Sequence, residues 1–170
     1  MKRVMLIRHA KSGWDDLGAD DFDRVLSARG EQDAPMMGER LARALAAEGN
    51  RLDAWLSSSA QRAAQTSKLL TAAIGFPEAQ IDWRRELYLA APDTLLTALQ
   101  SLKPDVQCAA LVAHNPGIAE LVGQLIDQRV DQLPTCAIVT IDADIEDWRE
   151  LRRGKLIDFD YPKRAHGAAR

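Results

Sequence analysis

Residues 107–117 read Gln107-Cys108-Ala109-Ala110-Leu111-Val112-Ala113-His114-Asn115-Pro116-Gly117. An apolar run this short and this uniform suits a strand buried on both faces, which requires a helical layer on each side of the sheet. It stops abruptly at His114. Asn115-Pro116-Gly117 then has the form of a helix cap followed by proline at the first helical position. The segment therefore predicts a central strand, a tight turn and a helix to about Gln128, within an α/β layer architecture.

Similar punctuation recurs outward from it. Residues 3–8 (RVMLIR) read as a second buried strand, ended by Arg8-His9. Residues 10–26 are polar, with Gly13, Gly18 and five aspartates, and form a long loop of the kind that is usually functional or mobile. Ser27 offers an N-cap to a helix closed by Gly49, whose stripe is Ala34, Met37, Leu41, Ala44 and Leu45. Pro35 inside that stripe predicts a kink or a boundary. Asp53–Ser58 is a short strand, and Ser59 a candidate cap for the helix carrying Ala63, Thr66, Leu70 and Ile74 up to Gly75. Residues 81–89 read as a short strand and then a loop. Pro92 opens a helix to about Leu102, and Ala137–Ile141 and Leu156–Phe159 are two final strands with a turn near Gly154.

The chain has 170 residues, 46% hydrophobic and 28% charged, an ordinary globular balance with no repeat or linker, so residues 1–170 are expected to form one domain with 161–170 as a frayed tail. A formal net charge of -3 argues against a nucleic-acid partner. Arg8 and His9 cut the N-terminal apolar run too short for an export signal, and no segment has the length of a membrane-spanning helix. The two cysteines, Cys108 and Cys136, lack ligand spacing and read as buried thiols in a reducing compartment. The expectation is a cytoplasmic protein without membrane contact, monomeric by default since no coiled-coil pattern occurs.

Three segments share one topology, an apolar strand ending in charged or imidazole groups. Arg8-His9 ends the first, Arg62 lies in the first turn of the helix after the second, and His114 ends the run at 107–113. Ligand sites of open α/β sheets gather at the carboxyl ends of strands, so parallel neighbours would bring these four residues together. Two arginines and two histidines at one point, beside two helix starts, suit a phosphate-like anion.

The motifs carry this further. Leu6-Ile7-Arg8-His9-Ala10-Lys11-Ser12 resembles the R-H-G signature of the histidine phosphatase superfamily, which includes the cofactor-dependent phosphoglycerate mutases. Ser57-Ser58-Ser59-Ala60-Gln61-Arg62-Ala63-Ala64-Gln65-Thr66 is similar to its S-P-x-x-R-A-x-Q-T block, and Val112-Ala113-His114-Asn115-Pro116 to its second-histidine block. The short length and the form R-H-A-K-S-x-W resemble most closely the SixA-type phosphohistidine phosphatases. Ala10 for glycine and Ala60 for proline are departures that keep a small residue.

The resemblance implies a three-layer αβα, phosphoglycerate mutase-like fold whose mostly parallel central sheet is flanked by helices. It implies a phosphatase with no metal and no organic cofactor. His9 would attack phosphorus and become a phosphohistidine that water hydrolyses, while Arg8, Arg62 and His114 stabilise the transferring group. A nucleophilic histidine must be neutral at the attacking nitrogen, so its other nitrogen is expected to donate to a backbone carbonyl. Arg24 matches a further arginine of this branch, and Ser58 is a candidate phosphate contact. Glu86, in Arg85-Glu86-Leu87, resembles the carboxyl that protonates the leaving oxygen in much of the superfamily, a group on which SixA-type enzymes rely less. It is equally readable as a loop carboxylate.

Other features read more plainly. Asp15, Asp16, Asp20, Asp21 and Asp23 lack calcium-loop spacing and read as a solvated acidic loop. Lys11 reads as a rim charge, His166 as an exposed tail residue, and Trp14 as the tryptophan to watch, in the loop just after the nucleophile. The substrate implied is a phosphohistidine protein. A small phosphomonoester is the alternative, a mutase lacks room for its insertions, and a non-catalytic phosphate-binding module conflicts with the intact histidines and arginines.

Overall fold

A computed structural model describes residues 1–14 and 18–165. Its strands and helices run β1 (Lys2–Arg8), α1 (Ala28–Ala47), β2 (Ala54–Ser58), α2 (Gln61–Ile74), β3 (Ile81–Arg84), α3 (Pro92–Gln100), β4 (Cys108–Ala113), α4 (Gly117–Ile126), β5 (Ile138–Ala143) and β6 (Lys155–Asp160). The strands form one mixed sheet in the order β3-β2-β4-β1-β5-β6. Pairings among β1 to β4 are parallel, and β5 and β6 are added antiparallel.

Side-chain alternation divides the core into two layers. Val4 and Leu6 of β1, with Ala109 and Leu111 of β4, pack under Leu95 and Leu99 of α3 and Ile118 and Val122 of α4. Met5 and Ile7, with Ala110 and Val112, pack under Met37 and Leu41 of α1 and Ala63 and Leu70 of α2. Each side chain of β4 is buried, as a central parallel strand between two helical layers requires. This is the α/β sandwich expected from the 107–117 segment.

Several local expectations are corrected. Helix α1 runs without interruption through Pro35. Proline removes one amide donor, and the stripe Ala34, Met37, Leu41 and Leu45 buried on the sheet outweighs that loss. Ser27 does cap α1, its hydroxyl accepting from the Gly30 amide. Ser59 does not cap α2: the N-cap is Ala60, and the Ala60 amide donates to Ser58 Oγ at 3.2 Å. Asn115 does not cap α4 either, which starts after a cis Asn115–Pro116 bond. The Asn115 amide instead donates to the Leu133 carbonyl at 2.9 Å. Gly117 is required here, since a Cβ would lie 1.9 Å from the Ala90 carbonyl oxygen where two chain segments cross.

Of the segment 161–170 expected to be a frayed tail, only residues 161–165 are described. Tyr161 packs against the core, and Arg164 donates to Asp158 at 2.8 Å and to the Phe159 carbonyl at 2.6 Å. Asp15, Asp16 and His166 lie outside the described residues. Among the described residues no helix is long and apolar enough to cross a membrane.

Candidate active site

Strand register brings the two histidines together. Arg8 of β1 pairs with Ala113 of β4, so the next residue of each strand, His9 and His114, emerges side by side at the carboxyl edge. Their ring centroids are 5.2 Å apart, and the residues are 6% and 2% exposed. Ser57 of β2 pairs with Val112 on the other side of β4, which sets Ser58 and the start of α2 beside His114.

A cavity of about 350 Å³ opens at this edge, with Arg8, His9, Arg24, Arg62 and His114 in its walls. Lys11, Trp14 and Leu89 also line it. Trp14 is 66% exposed and Leu89 54% exposed, so its rim is apolar as well as cationic. Leu89 holds a left-handed backbone, φ 47°, an unfavourable conformation for a branched side chain.

Each side chain has an identifiable hold. His9 Nδ1 lies 2.7 Å from the Ala10 carbonyl oxygen. A carbonyl only accepts, so Nδ1 is the protonated nitrogen and Nε2 carries the lone pair. The Ala10 amide donates to Thr66 Oγ1 at 2.9 Å, and Thr66 Oγ1 donates to the Arg62 carbonyl at 2.7 Å. Thr66 of α2 thus ties Ala10, the neighbour of His9, to Arg62. Arg8 Nη1 donates to the Leu133 carbonyl at 2.8 Å. His114 Nε2 is 2.8 Å from Ser58 Oγ. Arg24 stacks on the Trp14 ring at 3.5 Å and donates to Ser12 Oγ.

Burial controls the charge states. Burial, reinforced by Arg62, Arg8 and Arg24 and opposed by the Ala10 carbonyl, pushes the His9 pKa down to about 3. Burial, then the His9 and Arg62 charges, pushes His114 down to about 2. Burial also lowers Arg8, with Arg62 adding repulsion. Both imidazoles are therefore neutral at pH 7. The unfolded chain takes up protons near pH 6.5 and the native chain does not, so stability is present above that pH and is lost as pH falls towards about 3. Chemical denaturation between pH 8 and pH 5 is expected to show a fall below pH 6.5 that flattens in His114→Gln. The slope difference approaches about 1.4 kcal/mol per pH unit; parallel curves would contradict a neutral buried His114.

Two sequence readings change. Glu86 sits exposed in a 3-10 turn over residues 85–87 and lines a separate depression with Arg84 and Asp93, not the histidine cavity. A turn directly after β3, one strand further out than β2, leaves its side chain on the outer side. Asp21 is exposed, as an acidic loop predicts, yet it is not merely solvated. Its carboxylate pairs with Arg62 at 3.0 Å and Arg24 at 3.0 Å and accepts from the Tyr88 hydroxyl. Nothing in the sequence separates Asp21 from Asp20 and Asp23: all three are exposed, and the pairing with Arg62 and Arg24 is what sets Asp21 apart. No motif marks Tyr88 either, whose ring meets His114 edge-on at 5.5 Å.

The sequence profile of the histidine phosphatase superfamily (branch 1) matches residues 4–89. The family match spans the first two of the three motif blocks and ends before His114. An uncharacterized chloroplastic protein of Arabidopsis thaliana is 34% identical over 157 residues, covering 88% of this chain and 70% of that one. An uncharacterized protein of Mycobacterium tuberculosis is 30% identical over 169 residues, covering 92% of this chain and all of that one. Among solved structures, an Agrobacterium tumefaciens protein described as a 'putative phosphohistidine phosphatase SixA' superposes with a TM-score of 0.79 and 31% identity, covering 95% of this chain and 98% of that one.

Proposed function

The chain belongs to the histidine phosphatase superfamily, in its SixA-type branch, and is a phosphatase; from that premise we propose that His9 is its nucleophile and a phosphohistidine protein its substrate. The observation that carries the reading is a neutral imidazole, its Nδ1 donating to the Ala10 carbonyl, set among three cavity arginines. In the first step His9 Nε2 forms a bond to phosphorus as the leaving group departs with its electron pair. The ring then carries positive charge, which the Ala10 carbonyl stabilises through Nδ1–H. In the second step water attacks phosphorus, the N–P bond breaks, and inorganic phosphate leaves with His9 neutral again.

Phosphoryl transfer needs positioning and charge stabilisation more than covalent help. Arg8 Nε and Arg24 Nε are buried donors without a partner among the described residues, suited to phosphate oxygens. The N-termini of α2 and α4 add amides at the same edge. Ser58 orients His114 through the 2.8 Å bond to Nε2 and acts on phosphate through that ring.

A phosphorylated protein fits the apolar rim, which a small, fully solvated phosphomonoester does not need. The test is rapid-quench turnover, with chelator present, of a phosphohistidine-bearing phosphotransfer protein beside an aryl phosphate. The protein is expected to be faster by at least about tenfold in kcat/KM, and Trp14→Ala with Leu89→Ser to raise its KM severalfold while the aryl phosphate is little changed. Equal losses on both substrates, or a preference for the small ester, would move the assignment to a small-molecule phosphomonoesterase.

A further inference from the structure

Asp21 lies in the 3-10 turn Asp21–Asp23 of the loop joining β1 to α1, outside the lining of the histidine cavity. Its main-chain carbonyl accepts from Arg62 Nη1 at 2.6 Å, and its Oδ2 accepts from Arg62 Nη2 at 3.0 Å. Oδ1 accepts from Arg24 Nη1 at 3.0 Å, and Oδ2 also takes the Tyr88 hydroxyl proton. Among the described residues no other carboxylate is within ion-pair distance of either arginine.

From this geometry we propose that Asp21 is a positioning residue, fixing the Arg62 guanidinium from behind so that its remaining N–H groups meet the transferring phosphoryl group. The assignment rests on the reading of the cavity as the phosphoryl-transfer site. A guanidinium has five N–H donors in one rigid plane. Asp21 takes two of them, one on each terminal nitrogen, and two contacts on opposite ends of a planar group fix its orientation as one cannot. The remaining donors keep a set direction into the cavity. The same carboxylate links Arg62 to Arg24 and, through Tyr88, to the edge of the His114 ring, so three walls of the cavity are held in register by one side chain.

The alternative role for a carboxylate near this site is proton donation, and its surroundings oppose it. The Tyr88 hydroxyl, then Arg62, hold the Asp21 carboxyl below the usual carboxylate range, so it is an anion at neutral pH. An anion beside a phosphate-binding arginine also weakens ground-state attraction for phosphate. A residue kept there despite that repulsion is expected to act on the transition state, where arginine geometry decides the rate, more than on ground-state binding.

The experiment compares wild type, Asp21→Asn and Asp21→Glu with an aryl phosphate as substrate and inorganic phosphate as competitive inhibitor, circular dichroism checking the fold. Asp21→Asn is expected to lower kcat by about 10–100-fold while the phosphate inhibition constant stays within about twofold or tightens, and Asp21→Glu to recover a large part of kcat. A kcat within twofold of wild type, or an inhibition constant that weakens in step with kcat, overturns the assignment. If Asp21→Asn does not fold, Tyr88→Phe decides: a severalfold loss in kcat at constant inhibition constant supports it, and no loss overturns it. Wild type separates the two levels. If it turns over neither the aryl phosphate nor a phosphohistidine-bearing phosphotransfer protein, the reading of the cavity fails and takes this assignment with it; an active wild type with an indifferent Asp21→Asn removes this assignment alone.

Discussion

Alanine at position 9 is expected to lower turnover by a factor on the order of 10⁴ or more, and to abolish a covalent phosphoenzyme that wild type forms. No other group among the described residues can take over. Among the described residues His114 is the only other imidazole in the cavity, and there its Nε2 is engaged with Ser58 Oγ while Nδ1 is buried without a partner. The lining holds no thiol, since Cys108 and Cys136 are buried and burial pushes both up to about 12. Removing the imidazole leaves Arg8, Arg24 and Arg62 in place, so oxyanion binding should persist within a few-fold while chemistry stops. The check is a rapid-quench experiment with labelled substrate: acid-labile, base-stable label on wild type and none on His9→Ala. Label retained on the variant, or a loss of turnover under tenfold, would remove His9 as nucleophile.

How far the sequence discloses this arrangement depends on the range of the interactions involved. Strand alternation and helix stripes are local, so the α/β layers, the Ser27 cap and the end of α2 at Gly75 are legible in the order of residues alone. The meeting of His9 with His114 follows from one further assumption, that β1 and β4 are parallel neighbours in register, which the Arg8–Ala113 pairing satisfies. Capping is less readable, because Ser58 and Ser59 are chemically alike and only the path of the turn decides which hydroxyl meets the Ala60 amide. Pro35 misleads because its local cost is visible and the buried stripe that offsets it is tertiary.

Charged loops are the least legible. Asp20, Asp21 and Asp23 share one composition, and only the loop's closure selects among them. That closure uses the Gly13 amide on the Val25 carbonyl at 3.0 Å, the Ser27 amide on the Lys11 carbonyl at 2.9 Å, and the Leu26 amide on Gln65 Oε1 at 2.8 Å. Together these aim Asp21 at Arg62. Glu86 illustrates the converse: the motif around it has the expected order, and the direction of a 3-10 turn sends the carboxylate away from the cavity.

That direction sets the second large effect, a steep dependence of rate on the leaving group. An alkoxide needs a proton as it departs, and a positioned acid is worth about 10²–10⁴-fold in rate. Glu86 lines another depression, Asp21 is held as an anion, and His114 is neutral. An acidic phenol leaves as a stable anion, and a phosphohistidine ring leaves as neutral imidazole once its own second nitrogen is protonated. Neither needs an acid from the protein. Aryl phosphates and phosphohistidine are therefore expected to react faster than simple alkyl phosphates by about 10²–10⁴-fold in kcat/KM, and Glu86→Gln to change any of these rates by less than about twofold. The measurement is kcat/KM across phenyl phosphates of graded phenol acidity plus one alkyl ester, in both proteins. A shallow series in wild type that turns steep in Glu86→Gln would mean that the 85–87 turn carries Glu86 to the leaving oxygen during catalysis. The substrate class would then move from phosphohistidine to alkyl phosphomonoesters, because an acid placed there has a use only where the departing group cannot leave without it.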